Sequence, residues 1–498
     1  MIRTSVGMVG IVIAMGVATR LALPHTELAA QTAAPAAAPA QAPKRDVVKI
    51  YAELCASCHG PTMTGGQAPS MVDDTWSFGG DDASLTQTIK EGRVLQGMPS
   101  WKAALSDQDV RAMVIYIREQ GAKYRKEHAT TPKPAAETVV QSEVHAFKLE
   151  TIVEGVKFPW SIAFLPDGRM LVTEKAGQLR IVENGMLSPT PISGTPAVWS
   201  KGQGGLLDVA VHPDYATNGW IYLAYSDPGA NDSAMTAIVR GKLRDGAFVD
   251  QQQVFKAPAD LYVSGTQVHF GSRLVFDGKG HLYFSIGERG RGPNAQELSR
   301  PNGKVHRVNE DGTIPKDNPF VKKAGALPSI FSYGNRNPQG LAQHPTTGDL
   351  WEVEHGPRGG DELNLIQAGK NYGWPVITYG MNYDGTPMTD KTALKGMQQP
   401  LAQWTPSIAV CPIDFYRGDK FPQWKHQLFL GALAGQELRR IVITHRRVMH
   451  QEVLFQGVGR VRDVVSAPDG YLYVAFNEPD RIARLVPAPA APTASAQP

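Results

Sequence analysis

Cysteine is scarce: Cys55, Cys58 and Cys411 are the only three in 498 residues. A disulfide framework uses an even set, so this usage points away from one, and Cys411 reads as a buried free thiol. An excess of charge is missing too. Lys and Arg total 50 against 47 Asp and Glu, a formal net charge of +3. That balance gives no global field to draw the chain to nucleic acid or an anionic membrane, and leaves a small soluble partner as the expectation. Beyond the N-terminus no segment approaches the roughly 20 apolar residues of a membrane span, so no span is expected in the mature chain.

The N-terminus carries Arg3, a mostly apolar run from Val6 to Ala18, and the small-residue stretch Leu28-Ala29-Ala30-Gln31. That order is the pattern of a signal peptide over residues 1–30 and predicts a periplasmic protein; a retained N-terminal anchor shares much of it. Residues 31–44 are nearly all Ala, Pro and Gln, 128–145 contain Thr-Thr-Pro-Lys-Pro-Ala-Ala, and 487–498 are again Pro- and Ala-rich. Such composition buries no core and reads as linker, linker and disordered tail. Two folded units are left, 45–127 and 146–486.

The first unit reads as all-α. Val47 to Leu54 has helical apolar spacing, and Ser106 to Gln120 is a clearer helix, with Ser106 as N-cap, acids in the first turn and Val110, Met113, Val114 and Ile117 as one apolar stripe. Gly121 is expected to end it. Between them, Cys55-Ala56-Ser57-Cys58-His59 is a c-type haem attachment site: two thiols three apart add to the haem vinyls, and His59 reaches the iron from the same turn. A structural zinc site would need further Cys or His ligands, and none lies between His59 and His128. Met63, Met71, Met98 and Met113 are all present for the second axial position. Met98 is favoured, because Gly97-Met98-Pro99 forms a loop ahead of the terminal helix; Met113 lies on the apolar stripe, where packing explains it. His/Met ligation occupies both faces of the iron, so this haem c passes electrons rather than activating oxygen. The chemistry then falls to the second unit.

That unit changes character to short Val, Ile, Leu, Phe and Tyr runs separated by Pro-Asp-Gly, Asp-Gly and Asn-Gly turns, the grammar of antiparallel sheet. A strand-turn-strand element recurs from Ser161, Leu206, Ser272, Gln339 and Arg462, with a weaker sixth copy from Ile413 through Leu428-Phe-Leu430. Copies about 45 to 75 residues apart match four-stranded blades with variable loops, which predicts an all-β six-bladed propeller. A large β-sandwich shares the turns but rarely repeats the unit so regularly. A propeller gathers loops around its channel mouth, and four polar loops stand out: Gly202–Gly205, Val268–Gly271, Gly334–Gly340, and Glu354-His355-Gly356-Pro357 running on to Glu362. His212 and His344, each followed by Pro, read as turn residues.

The first unit's Met98 loop resembles the distal loop of class I cytochromes c. In the second unit GQGGLLDVAVHPDY, HFGSRLVFDGKGHLYFSIGE, GTIPKDNP, GNRNPQGLA, DELNLIQAGKNYGWP and RVRDVVSAPDG resemble, in the same order, the soluble quinoprotein glucose and aldose sugar dehydrogenases. These are six-bladed propellers that use pyrroloquinoline quinone (PQQ) with calcium. The resemblance implies His269 as the base that takes the sugar hydroxyl proton, a role suited to an imidazole near its pKa, with Glu288 orienting it and Gln203 on the substrate side. It implies Arg336 and Asn337 beside the reacting quinone, and Arg460 and Arg462 on its carboxylates, where guanidinium donors are apt. Gly356 and Pro357 carbonyls would hold the calcium that bridges to the quinone, and Asp361, Glu362 and the Tyr372 carbonyl a second, structural calcium. Val268 stands where the glucose enzymes have Asp, Ala434 where a quinone-contacting Lys is expected, and His355 where they have Gln. These departures point away from glucose and toward the broad aldose sugar dehydrogenase branch.

The expected activity is oxidation of an aldose or related alcohol to its lactone, with electrons passing to the chain's own haem and on to a soluble or membrane-bound acceptor. Two alternatives share the outline. A haem-propeller nitrite-type reductase would need a second haem, against which the Gly356-Pro357 to Glu362 segment argues, and a cofactor-free propeller would serve as a sugar- or partner-binding module.

Overall fold

The computed structural model describes residues 45–128 and 138–489. The expected signal peptide, the first linker, part of the second and most of the tail lie outside the described residues. The first unit has four helices, α1 (Val47–Leu54), α2 (Ala56–His59), α3 (Asp82–Glu91) and α4 (Asp107–His128). Asp46 caps α1 by accepting from Val48 N, and Asp81 caps α3 by accepting from Ser84 N. At the start of α4, Ser106 and Asp109 cap each other reciprocally: Asp109 N donates to Ser106 Oγ (3.1 Å) and Ser106 N to Asp109 Oδ2 (3.0 Å). Val110, Met113, Val114 and Ile117 are buried in one core with Ile50, Tyr51, Leu85 and Ile89.

Gly121 does not end α4; the helix runs on to His128. The next residues, Ala122, Lys123, Arg125, Lys126 and Glu127, are good helix formers, so their preference outweighs the ~1 kcal/mol that one internal glycine costs relative to alanine. Tyr124 packs against the core from this extension.

The second unit is a ring of six sheets. Blades 1 to 5 are sequential four-stranded sheets spanning 159–187, 206–255, 274–333, 338–404 and 410–456. Blade 6 is closed from both ends of the unit: the early strand Ala146–Val153 pairs antiparallel with the late strand Arg481–Pro487. Closure removes the exposed edges that an open ring would present. The weak sixth repeat is a full blade, with inner strands Val410–Phe415 and Leu428–Ala432 paired. Leu428–Ala432 is buried along its whole length, as expected where neighbouring blades cover both faces. Gly168, in the Pro-Asp-Gly turn between the first two strands of blade 1, has φ +89°, a conformation costly for a residue with a Cβ.

The innermost strand of every blade faces the central channel. Arg273 closes it, with Nη1 3.2 Å from Asp208 and 2.9 Å from Asp463 and the guanidinium over the Trp160 ring. On one side lies a cavity of about 440 Å³ lined by Ser161, Asp208, Leu341, Ile413 and Asp463. Arg462, two residues beyond the start of the last inner strand, accepts from Arg273 Nη2 at its carbonyl (3.0 Å) and carries the framework toward the polar loops. His212 and His344 hold their turns, accepting at Nδ1 from Asp214 N (2.9 Å) and Thr346 N (3.3 Å).

Candidate functional site

In the helical unit, Cys55, Cys58, His59 and Met98 line one cavity of about 290 Å³ with Leu85, Ile89, Trp76, Trp101 and Ile117. A slot walled by apolar side chains, with two free thiols and an imidazole on one turn, suits a haem attached through both thiols. His59 Nδ1 lies 3.1 Å from the Pro69 carbonyl. Donation there fixes the ring and leaves Nε2 for iron. Met98 is held by paired backbone hydrogen bonds with Arg93 (2.8 and 3.1 Å). Met71 and Met113 also border the cavity, and Met63 does not.

At the propeller mouth the loops of several blades converge. His269 is at φ 59°, an uncommon conformation for a residue other than glycine, and it is held there from two sides. Gln203 Oε1 accepts from the His269 backbone N (2.7 Å), and Glu288 Oε1 lies 2.5 Å from Nδ1. Gly287 passes beneath: a Cβ there would come within 2.4 Å of the His269 carbonyl oxygen and 2.8 Å of Asn337 Oδ1. Burial holds the His269 pKa below the usual imidazole value, with Arg336 and Arg289 adding to the effect and Glu288 opposing it. The ring is therefore neutral at neutral pH, with Nε2 free.

Arg336 crosses the mouth, donating from Nη1 to the Gly356 carbonyl (2.7 Å) and the His355 carbonyl (3.1 Å), beneath the Trp374 ring. Its backbone N and that of Asn337 both donate to Glu354 Oε2. Asn337 Oδ1 accepts from Gly271 N (3.2 Å). Arg462 is buried, with Nη1 near Gln339 Oε1 (3.3 Å) and Cys411 Sγ (3.4 Å). Arg460 opens the same strand. Asn337 Nδ2, Arg336 Nε, Glu288 Oε2 and His355 Nε2 are buried without a partner. Two of these atoms, Asn337 Nδ2 and Arg336 Nε, are N–H donors, and with the neighbouring guanidinium they suit the acceptor oxygens of a polar, anionic ligand, since an unpartnered buried donor carries a desolvation cost of about 1–3 kcal/mol.

The loop after His355 turns back sharply. A Cβ on Gly356 would meet the Gly360 carbonyl at 2.3 Å and the Gly359 carbonyl at 2.4 Å. Asp361 braces this turn: its Oδ1 accepts from Gly356 N (2.8 Å) and Ser407 Oγ (2.5 Å), and its Oδ2 from Val410 N (3.2 Å). Glu362 and Tyr372 instead line a cavity of about 10 Å³ with Glu354, Gly356 and Thr378, room for about one water or ion. Asp361 is not in that lining. Glu354 and Glu362 sit directly opposite each other across a strand pair, a like-charge arrangement that is destabilising. Burial raises both above the usual carboxylate range, Glu354 to about 7, and for Glu362 the charge of Glu354 adds to the rise. A cation would relieve the repulsion. Among the described residues no three Asp, Glu, His or Cys side chains form a metal cage.

Two residues gain roles that the sequence did not give them. Glu354 organises the Asn335-Arg336-Asn337 loop, and although its motif was conspicuous its use as a backbone acceptor was not. Arg289 is fully buried, stacks 3.5 Å from the Phe270 ring centroid and donates to the Val268 carbonyl, fixing the residue before His269. Burial pulls its guanidinium down to about 9. Its adjacency to Glu288 was the only signal. His355 lies fully inside the site: burial first, then Arg336, Arg462 and His269, keep its ring neutral.

A propeller mouth with a carboxylate-oriented histidine and arginine donors, joined to a haem-type helical unit, defines a redox enzyme. Residues 156–484 match the family described as glucose/sorbosone dehydrogenase, and residues 42–117 match cytochrome c oxidase, cbb3-type, subunit III. The chain is 45% identical over 336 residues to the aldose sugar dehydrogenase of Escherichia coli K12, covering 66% of this chain and 90% of that protein. The apo-form crystal structure of the soluble aldose sugar dehydrogenase from Escherichia coli is similar at 42% identity and TM-score 0.64, over 69% of this chain and all of that one. A PQQ-bound aldose sugar dehydrogenase from Streptomyces coelicolor is similar at 27% identity and TM-score 0.56, over 71% of this chain and 99% of that one. The chain belongs to the glucose/sorbosone dehydrogenase family and is an oxidoreductase, with a cytochrome c domain at its N-terminal side.

Proposed function

We propose that this protein is a periplasmic quinohaemoprotein that oxidises an aldose to its lactone with PQQ and calcium, and delivers the electrons to its own haem c and then to an external one-electron acceptor. The observation that carries the reading is the His269–Glu288 pair in one site with Arg336 and Asn337, whose Nε and Nδ2 are buried without a partner. Its relatives include an aldose sugar dehydrogenase in a PQQ-bound form. Arg336, Asn337, Arg460 and Arg462 would hold the quinone, the Gly356 and Pro357 carbonyls its calcium, and Glu362 with the Tyr372 carbonyl a structural calcium, where Glu354 joins them and Asp361 braces the turn.

His269 Nε2 takes the proton of the sugar hydroxyl as the C–H bond breaks. When bound, the quinone supplies the hydride acceptor and gives up its two electrons singly. Glu288 stabilises the imidazolium that forms, and Gln203 keeps the His269 backbone in place while leaving its amide nitrogen for the sugar. Val268 and Ala434 offer no hydroxyl acceptor or ammonium, which favours a broad aldose range.

The test is to load the purified haem protein with calcium and PQQ, add a panel of aldoses and follow the haem absorbance. Reduction by at least one aldose, with lactone formed, is expected. If dithionite reduces the haem and no aldose does, the reading fails.

A further inference from the structure

The two units meet on one side of α4, and the residues there have no role in either site. Arg111, Ile115 and Glu119 lie at successive i+4 steps and so share a face, while Met113 and Ile117 project from the opposite face into the haem slot. The first face sits on the propeller. Arg358 Nε is 2.8 and 3.0 Å from the two Glu119 oxygens and Nη2 is 2.7 Å from Oε2, a bidentate pair with side chains only 23% and 16% exposed. Arg111 Nη2 donates to the Tyr379 carbonyl (2.9 Å) and lies over that ring. Val47 N donates to the Gly385 carbonyl (3.2 Å). Met381, a propeller-loop residue 1% exposed, is buried in the core of the helical unit.

Arg358 is one residue beyond Gly356-Pro357, and Arg358 and Met381 exchange backbone hydrogen bonds (3.0 and 2.9 Å). The turn whose Gly356 carbonyl accepts from Arg336 therefore also carries the anchor for α4.

We propose that Glu119 and Arg358 are a docking latch that holds the cytochrome unit on the propeller in one geometry, with α4 seated between the haem slot and the Gly356–Arg358 turn, making that turn the electron exit. Glu119 and Arg358 are positioning residues that touch neither sugar nor quinone. The electron-exit role rests on the proposed sugar oxidation; the latch does not. In balance, the two electrons taken from the sugar leave in two steps, each converting ferric to ferrous haem. Two protons pass to solvent, and a one-electron acceptor of cytochrome or ferricyanide type reoxidises the haem between steps.

The experiment uses the full haem-loaded chain with spin labels at the exposed Leu95→Cys and Met449→Cys positions, read by pulsed dipolar spectroscopy without quinone or sugar. The latch predicts one narrow distance distribution, broadening in Glu119→Arg and separately in Arg358→Glu, and narrowing again in the Glu119→Arg/Arg358→Glu double variant. After PQQ and calcium loading, Glu119→Arg slows sugar-driven haem reduction at least tenfold, leaves dye-coupled sugar oxidation within twofold, and the swap restores haem reduction. A broad distribution in the unmodified protein, no broadening in either single variant, or no recovery in the swap overturns the latch. Loss of dye-coupled oxidation in the unmodified protein would refute the proposed sugar chemistry instead, with the distance measurement still deciding the latch.

Discussion

Replacing Glu288 with Gln tests the proposed base through charge alone. The carboxylate is 2% exposed, lies 2.5 Å from His269 Nδ1 and leaves Oε2 without a partner, so its charge acts on the ring with little screening. At an effective dielectric of about 20, unit charges about 4 Å apart attract by ~4 kcal/mol. Glutamine keeps a neutral hydrogen bond worth about 1 kcal/mol, so about 3 kcal/mol of imidazolium stabilisation is lost, about 10²-fold in kcat. The pH profile separates this from mere misplacement. His269 must be neutral to act, so kcat/KM rises with pH through its pKa. Burial, Arg336 and Arg289 already set that pKa below 6.5 against the opposing Glu288. Glu288→Gln removes the opposition, and the acid limb moves to still lower pH. The assay is dye-coupled sugar oxidation across pH, which bypasses the haem. An unmoved acid limb, or one shifted to higher pH, would refute the electrostatic role.

Met98→Ala should convert the haem from low to high spin and lower its reduction potential, whereas Met71→Ala and Met113→Ala keep both; absorbance and redox titration decide. Calcium at 100 times its dissociation constant adds about 2.7 kcal/mol, so a chelator should lower the melting temperature of the quinone-free unmodified protein by several degrees and that of Glu362→Gln by distinctly less. Arg273→Met leaves Asp208 and Asp463 facing each other without their cation and should cost about 3–5 kcal/mol by chemical denaturation. Burial already raises Asp463 to about 6, a contribution present below the ordinary Asp value and lost as pH rises through 6, so the Arg273→Met deficit should be smaller at pH 5 than at pH 8.

What could be read in the sequence was what is local. The inner strand and turn of each blade repeat because every blade must solve the same packing problem within one stretch of chain, which is why even the degenerate copy at Ile413 marked a blade. The closing strand Ala146–Val153 has no such signature, because its partner Arg481–Pro487 lies at the far end of the unit. That Cys55, Cys58 and His59 line one cavity was legible since the three fall within five residues. The acidic pair Asp361-Glu362 shows the limit. Adjacent strand residues point to opposite faces, so Asp361 braces the turn while Glu362 meets Glu354 from the neighbouring strand, a pairing visible only once register is known. Gly121 misled because a helix stops only where the residues beyond a glycine also disfavour it, and here they are helix formers.

The haem unit's relation to the propeller belongs to the same class of information, and it changes what fusion achieves. A flexible tether only raises the local concentration of one unit about the other, typically to the millimolar range, and each productive encounter must then be found by diffusion. A seated helix fixes one orientation. The Glu119–Arg358 pair suits that task better than an exposed one would: at physiological salt, charges separated beyond a Debye length of about 8 Å in water are largely screened, but a bidentate contact of 2.7–3.0 Å, largely withdrawn from solvent, is screened far less. Its two halves sit on α4, which walls the haem slot through Met113 and Ile117, and on the turn whose Gly356 carbonyl accepts from Arg336. A shift of this contact therefore moves a haem-slot wall relative to the propeller mouth, which makes the docking contact the element through which the proposed latch sets the distance between the two sites.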